Sequence, residues 1–290
     1  MEVQWSLIVF TLFACIASGV FAGQGLLALL GKSERLQKPA LAVSLGALVV
    51  GGIVSFTHLQ HWERAFNGFG NLSSGITQEL IGIVVMFVLI VIYFVVLRRG
   101  TVPKWAGILA IIGGLGFVLV VASSYMMPAR PAWSTPLLHV FYLAQMVVSG
   151  GATLWLIAAV LKADDTLVVS ARITAIGGVC VVVSLIAYAL YASSLSLPMV
   201  GNYFDPTDPT KPMVAVAGLG GELLAGGLAA YFWGALVVGG AIAAILGFLK
   251  WNRAEGNFGF AAAALVCALA GGLAFRAALY LIGVSAYAFY

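Results

Sequence analysis

Eight long, almost uncharged apolar runs constrain this chain more than any other feature: about Gln4–Leu30, Pro39–Leu59, Ser74–Leu97, Val102–Tyr125, Thr135–Leu161, Leu167–Ser194, Leu219–Leu249 and Asn257–Tyr287. Each is long enough to cross a hydrocarbon core about 30 Å thick. In lipid a helix satisfies its own backbone donors and acceptors. The runs also lack the strict alternation that a membrane barrel strand needs. Charged residues make up 8% of the chain, where a soluble domain carries about 25%, so little remains to face water. The expectation is an all-α integral membrane protein, a bundle of eight transmembrane helices forming one domain over residues 1–290. Met1–Ser6 has no basic leader and the first run is longer than a signal core, so that run is expected to stay as an anchor.

The Lys and Arg residues set a direction. Lys32, Arg35, Lys38, Arg98, Arg99, Lys104, Lys162, Arg172, Lys250 and Arg253 all fall in connections on one side. Arg64, Arg130 and Lys211 fall on the other, and Arg276 lies inside the last run. By the positive-inside bias the first set faces the cytoplasm. Both termini, the Ser55–Glu79 connection, the turn MMPARPAWSTP and the long connection with Pro198, Pro206, Pro209 and Pro212 then face outward. The outward connections are the richer ones, so docking of partner proteins is expected there. A net charge of +4, spread over short connections, speaks for orientation and not for nucleic acid.

Within this frame few residues carry chemistry. Cys15, Cys180 and Cys267 lie far apart inside apolar runs and read as buried packing residues. No CxxC pair exists, so no iron–sulfur cluster is expected in this chain. Three histidines are too few for a two-haem anchor, and no haem is expected either. Glycines spaced as at Gly107–Gly114 and Gly220–Gly227 suit close helix packing. Trp62, Tyr125, Trp133 and Tyr142 fall where an aromatic belt would sit at the outward interface, with Tyr125 the belt member placed to touch a ligand.

The Ser55–Glu79 stretch stands apart. His58 ends the second run, Arg64 follows, and Glu79 lies about one and a half turns into the third run. An ionisable group inside a spanning helix costs a few kcal/mol and is a functional candidate by default. Histidine titrates near neutral pH and hydrogen-bonds readily to a hydroxyl, and a carboxyl group can carry a proton onward. Oxidation of a quinol releases two protons with its two electrons and needs such groups. On this reading His58 contacts a quinol, Glu79 relays protons outward, and Arg64 positions one of them, the ligand or a partner. The plainer alternatives are an interfacial His58 and a Glu79 that pairs with Arg64 or Arg276. A buried Arg276 needs a partner, and Glu79 and Glu222 are the carboxylates at comparable depth. A proton-linked transporter or channel using Glu79, Glu222 and Arg276 is the competing functional reading.

The stretch THLQHWERAFNGFGNLSSGITQEL, the turn PAWSTP and the pair Arg276 and Tyr280 resemble the membrane-anchor subunit family of dimethyl sulfoxide reductase, DmsC-like, and the eight-run layout agrees. The resemblance implies a subunit of a molybdopterin oxidoreductase complex in the cell membrane of a prokaryote. Such an anchor binds menaquinol near the outer face. It passes electrons to an iron–sulfur subunit that serves a molybdopterin catalytic subunit in anaerobic respiration. Carried over by motif, His58, Arg64 and Glu79 form the quinol site. One position departs: where the family often has an acid four residues before the arginine, this chain has Gly272.

Overall fold

The computed structural model describes residues 3–32, 34–57, 70–195, 218–253 and 257–283. It is helical, and among the described residues there is no strand. The helices are α1 (Trp5–Leu29), α2 (Glu34–Phe56), α3 (Gly75–Arg98), α4 (Lys104–Ser124), α5 (Leu137–Leu161), α6 (Asp164–Ser194), a short α7 (Leu219–Leu224), α8 (Ala229–Leu249) and α9 (Asn257–Ile282). All but α7 are long and apolar enough to cross a membrane, so the chain is a multi-pass membrane protein.

The sequence boundaries hold to a few residues, with three instructive differences. α2 begins at Glu34, so Pro39 lies inside it. Proline removes one helical donor, here at a turn where Arg35 and Lys38 are exposed. α6 begins at Asp164, and Asp164 and Asp165 in its first turn suit the positive end of the helix dipole. The seventh run is broken. The Glu222 carboxylate accepts from the Gly227 backbone N–H at 3.0 Å, and Trp233 Nε1 donates to the Leu224 carbonyl at 2.9 Å. These bonds close a turn between α7 and α8. The Gly220–Gly227 spacing thus serves two purposes: Gly220 lies against Ser193 of α6, while Gly226 and Gly227 make room for the Glu222 side chain. Inside α8, Gly234–Ile242 widens into a π-helix.

Small residues bring the helices together, as packing in lipid requires. α1 sits at the centre against α2, α4 and α5, and α8 and α9 pack onto α5 and α6. A Cβ at Gly25 of α1 would lie 2.5 Å from the Gly107 carbonyl oxygen of α4, and one at Gly114 would lie 2.7 Å from the Ser18 carbonyl oxygen. Gly19 meets Gly150 across α1 and α5, and Gly239 meets Gly271 across α8 and α9. Burial follows this order: 67% of the apolar windows of α1 and α5 is covered but only 17% of that of α3. α3 is therefore mostly a lipid-facing helix. Cys15 is buried, Cys267 is half-buried and Cys180 is exposed, so the expectation of three buried cysteines holds for Cys15 alone. Cys180 is on an outward face of α6, where lipid satisfies it as well as protein would.

Candidate functional site

Two ends of the bundle differ in kind. All ten cations expected on one side do lie at one end, in and beside the 30–34, 99–103, 162–163 and 250–256 connections. At the other end the helices are tied by polar and aromatic side chains, and Glu79 lies there.

Glu79 is placed by local structure. Asn71 closes a turn by accepting from the Ser73 N–H at 3.1 Å and the Ser74 N–H at 3.2 Å. α3 starts immediately after, at Gly75, where a Cβ would lie 3.1 Å from Ser124 Cβ. That contact sets the first turn of α3 against the last turn of α4. Glu79, one turn further, then meets Ser124, with Oε1 and Oγ 2.5 Å apart. The same hydroxyl is 2.8 Å from the Val121 carbonyl oxygen. A hydroxyl has one proton to donate, so this arrangement accommodates both forms of the carboxyl group. Ionised, Glu79 accepts from Ser124. Protonated, it donates to Ser124, which turns its own proton to Val121. Glu79 is thus neither buried without a partner nor locked in an ion pair with Arg276, and the geometry lets it gain and lose a proton without leaving an orphaned donor.

The neighbouring serine extends the set. Ser123 Oγ lies 2.9 Å from His139 Nε2 and donates to the Leu119 carbonyl at 2.8 Å when the ring nitrogen is itself the donor. Tyr125 follows, ending α4, with its hydroxyl 3.1 Å from that of Tyr280. Burial pushes the Tyr125 phenol well above its ordinary value, and Tyr142, Tyr280 and the Glu79 carboxylate add to the push. Tyr125 is therefore a neutral hydrogen-bonding group.

The turn between α4 and α5 is fastened to two helices, α6 and α9. Trp133 Nε1 donates to the Leu279 carbonyl at 2.7 Å. The Tyr188 and Tyr191 hydroxyls donate to the Ala132 and Pro131 carbonyls at 2.9 and 2.7 Å. The Arg130 guanidinium lies 4.5 Å from the Trp133 ring centre. Tyr125, Trp133 and Tyr142 are 6%, 2% and 1% exposed. This corrects the expected aromatic belt: these three rings pack inside the bundle, edge to face and tilted against one another and Tyr280. They are buried because the turn folds inward onto α6 and α9, a long-range contact no local pattern encodes.

Arg276 is also buried, at 1% exposure, but its partners are neutral. Nε donates to Thr11 Oγ1 at 2.8 Å, one terminal nitrogen to the Gly272 carbonyl at 3.0 Å, and the other to the Thr11 carbonyl at 3.3 Å and to Cys15 Sγ at 3.2 Å. Its guanidinium carbon lies 4.8 Å from the Tyr142 ring centre. The expected pairing with Glu79 or Glu222 does not form: Glu79 is held by Ser124, and Glu222 by its own turn. Four neutral acceptor atoms and an aromatic face replace the carboxylate. At Gly272 a Cβ would lie 2.7 Å from Gln145 Nε2, so the space for an acidic side chain there is occupied by Gln145.

Of the sequence-predicted site residues, Glu79 is at the tied end. His58 and Arg64 lie outside the described residues, as do His61 and Trp62. Ser124 is the polar contact of Glu79, and Ser123 next to it pairs with His139. The serine pair looked like an ordinary helix end in sequence, and only its place beside the start of α3 gives it a role.

Residues 1–198 match the family model of the DMSO reductase anchor subunit (DmsC). The chain belongs to this family. The match spans α1 to α6 and takes in the Ser55–Glu79 stretch, the serine pair and the inward-folded turn. No curated protein matches the sequence. The protein is thus a membrane anchor of the DmsC type, and a DMSO reductase anchor works beside catalytic and electron-transfer subunits. α7, α8 and α9 lie beyond the matched stretch, yet α9 supplies Tyr280 and the Leu279 carbonyl that fasten the tied end.

Proposed function

We propose that this anchor binds menaquinol at the tied end and oxidises it, passing two electrons to an iron–sulfur subunit that serves a molybdopterin catalytic subunit. The two protons released leave by the same end. Glu79 takes a proton from the quinol side and hands it on. His58 hydrogen-bonds to a quinol hydroxyl, and Arg64 positions the ligand, Glu79 or the partner subunit. Tyr125 contributes a neutral phenol beside Glu79.

The observation that carries this reading is the Glu79–Ser124 contact. It places a carboxyl group one turn inside a spanning helix, half-buried, with a partner suited to both of its protonation states. Support comes from the family match, which includes His58, Arg64 and Glu79. The lysine and arginine bias supports an orientation with the tied end and both termini outward, in the cell membrane of a prokaryote. The whole chain then acts as a single transmembrane domain with its partners docked outside. Transport through Glu79, Glu222 and Arg276 finds less support, because each is held by separate neighbours.

The test is turnover of the purified complex with a menaquinol analogue, wild type against His58→Ala and Glu79→Gln. The expected result is loss of quinol-dependent turnover in both, with assembly and activity from an artificial electron donor retained. Normal quinol turnover in both variants would move the site away from this end.

A further inference from the structure

A second feature lies at the opposite, basic end of the bundle. α2 and α3 diverge on their lipid side and leave a groove of 410 Å³. From α2 it is lined by Lys38, Leu41, Ala42 and Leu45, spaced three and four residues apart on one helical face. From α3 it is lined by Phe87, Ile90, Phe94 and Arg98, again on one face. Between the two cations and the far end, all side chains named are hydrocarbon or aromatic. Leu41 and Ile90 form the floor, and Phe87 and Phe94 are exposed along one rim. Behind the floor, Tyr93 donates to Gln37 Oε1 at 2.8 Å and ties the two helices together.

Because α2 and α3 run in opposite directions, Lys38 near the start of one and Arg98 at the end of the other share a mouth. Both are exposed, and among the described residues no carboxylate pairs with either. Arg98 leans over Phe94, 5.9 Å from its ring centre. From Phe87 to Arg98 the helix rises about 16 Å at 1.5 Å per residue. That is close to one leaflet of a ~30 Å hydrocarbon core, so the apolar length fits an acyl chain and the cations fall at headgroup level. Basic pockets between spanning helices suit anionic headgroups. A quinone is neutral, so two cations at one mouth match an anionic headgroup better than a quinone ring.

We infer that the α2–α3 groove binds an anionic phospholipid, its phosphate-bearing headgroup held by Lys38 and Arg98 and an acyl chain laid between Leu45 and Phe87. The site is independent of the quinol reading. Glu79 is at the far end of α3, nineteen residues and about 28 Å from Arg98.

The experiment is native mass spectrometry of the delipidated full-length protein in detergent, titrated with phosphatidylglycerol or with phosphatidylcholine of the same acyl chains. Wild type is expected to retain one phosphatidylglycerol with roughly tenfold preference. Lys38→Gln combined with Arg98→Gln removes the preference. Ala42→Trp, which fills the groove and keeps both charges, lowers retention of both lipids. Lys104→Gln combined with Lys162→Gln, at the same end but outside the groove, keeps the preference. Equal retention of the two lipids by wild type, or an unchanged preference in the Lys38 and Arg98 double variant, overturns the proposal. So does equal loss in the Lys104 and Lys162 pair, which assigns the effect to the general charge of that end. Displacement of the lipid by a menaquinone analogue overturns it in favour of a second quinone site.

Discussion

The two ends of this bundle are built on different principles. At the tied end the α4–α5 turn is bonded to its neighbours: Tyr188 and Tyr191 of α6 donate to its backbone, and its own Trp133 donates to the Leu279 carbonyl of α9. At the basic end the connections are short and exposed, and their cations mostly face outward. Ties there join neighbouring helices and not a folded-in turn: Tyr93 donates to Gln37 between α3 and α2, and Arg172 donates to the Trp251 carbonyl at 2.9 Å and to Asn252 Oδ1 at 2.7 Å. A ligand that must be oriented for proton and electron transfer needs walls that do not move. Such walls exist where buried aromatic groups are pinned by directional bonds. Charges in water set orientation across the membrane and attract headgroups, but they fix no cavity. Under the proposed function and the inferred lipid site, chemistry belongs to one end, and orientation and lipid contact to the other.

That assignment is open to attack in order of effect. Trp133→Ala removes a buried ring and its bond to Leu279. It is expected to cost about 3–5 kcal/mol, read as a fall in thermal midpoint and in yield of assembled complex, while Trp133→Phe, which keeps most of the packing, costs about 1–2 kcal/mol. If Trp133→Ala were neutral, the tied end would not be a rigid wall. Glu79→Gln comes next and acts on the reaction, with quinol-dependent turnover down about 100-fold and the thermal midpoint little changed. Ser124→Ala keeps the carboxyl group but removes its partner, for about a tenfold loss. Ser123→Ala alters the His139 contact and leaves the Glu79 bond in place. A greater loss in Ser123→Ala than in Ser124→Ala would move the proton-handling group from Glu79 to His139.

The fold was largely legible in the sequence, because eight apolar runs in lipid leave one solution for the backbone. What the sequence concealed follows from long-range contact. The inward burial of Tyr125, Trp133 and Tyr142 depends on α6 and α9, which are distant in the chain. The break between α7 and α8 depends on a carboxylate folding back onto its own turn, whereas hydropathy alone reads Leu219–Leu249 as one run. Arg276 illustrates the same point energetically. An apolar surround suggests a carboxylate partner, but the structure satisfies the guanidinium with Thr11, Cys15, the Gly272 carbonyl and the face of Tyr142. Of the candidate site, Glu79 stands out in the sequence through its rarity inside a spanning run. The sequence had no means to identify Ser124, since a serine at a helix end is common and its meaning lies in which helix starts beside it.

The smallest expected effect tests the quiet half of the comparison. Arg172 fastens the start of α6 to the end of α8 through a planar fork, with its guanidinium carbon 5.4 Å from the Trp251 ring centre. Arg172→Lys keeps the charge, and with it the contribution to orientation, but an ammonium cannot reproduce the forked geometry or the stacking. The bonds are partly exposed, so the expected cost is about 1 kcal/mol or less, a shift of a few degrees in thermal midpoint. Quinol-dependent turnover should stay within about twofold of wild type, because on the proposed function nothing at this end is asked to hold the reacting groups. A tenfold loss of turnover in Arg172→Lys, with assembly intact, would mean that the packing of α6 and α8 at the basic end controls the geometry at the tied end. The two ends would then have to be treated as one mechanical unit, with α6 as the lever, since its C-terminal turns carry Tyr188 and Tyr191 to the pinned turn.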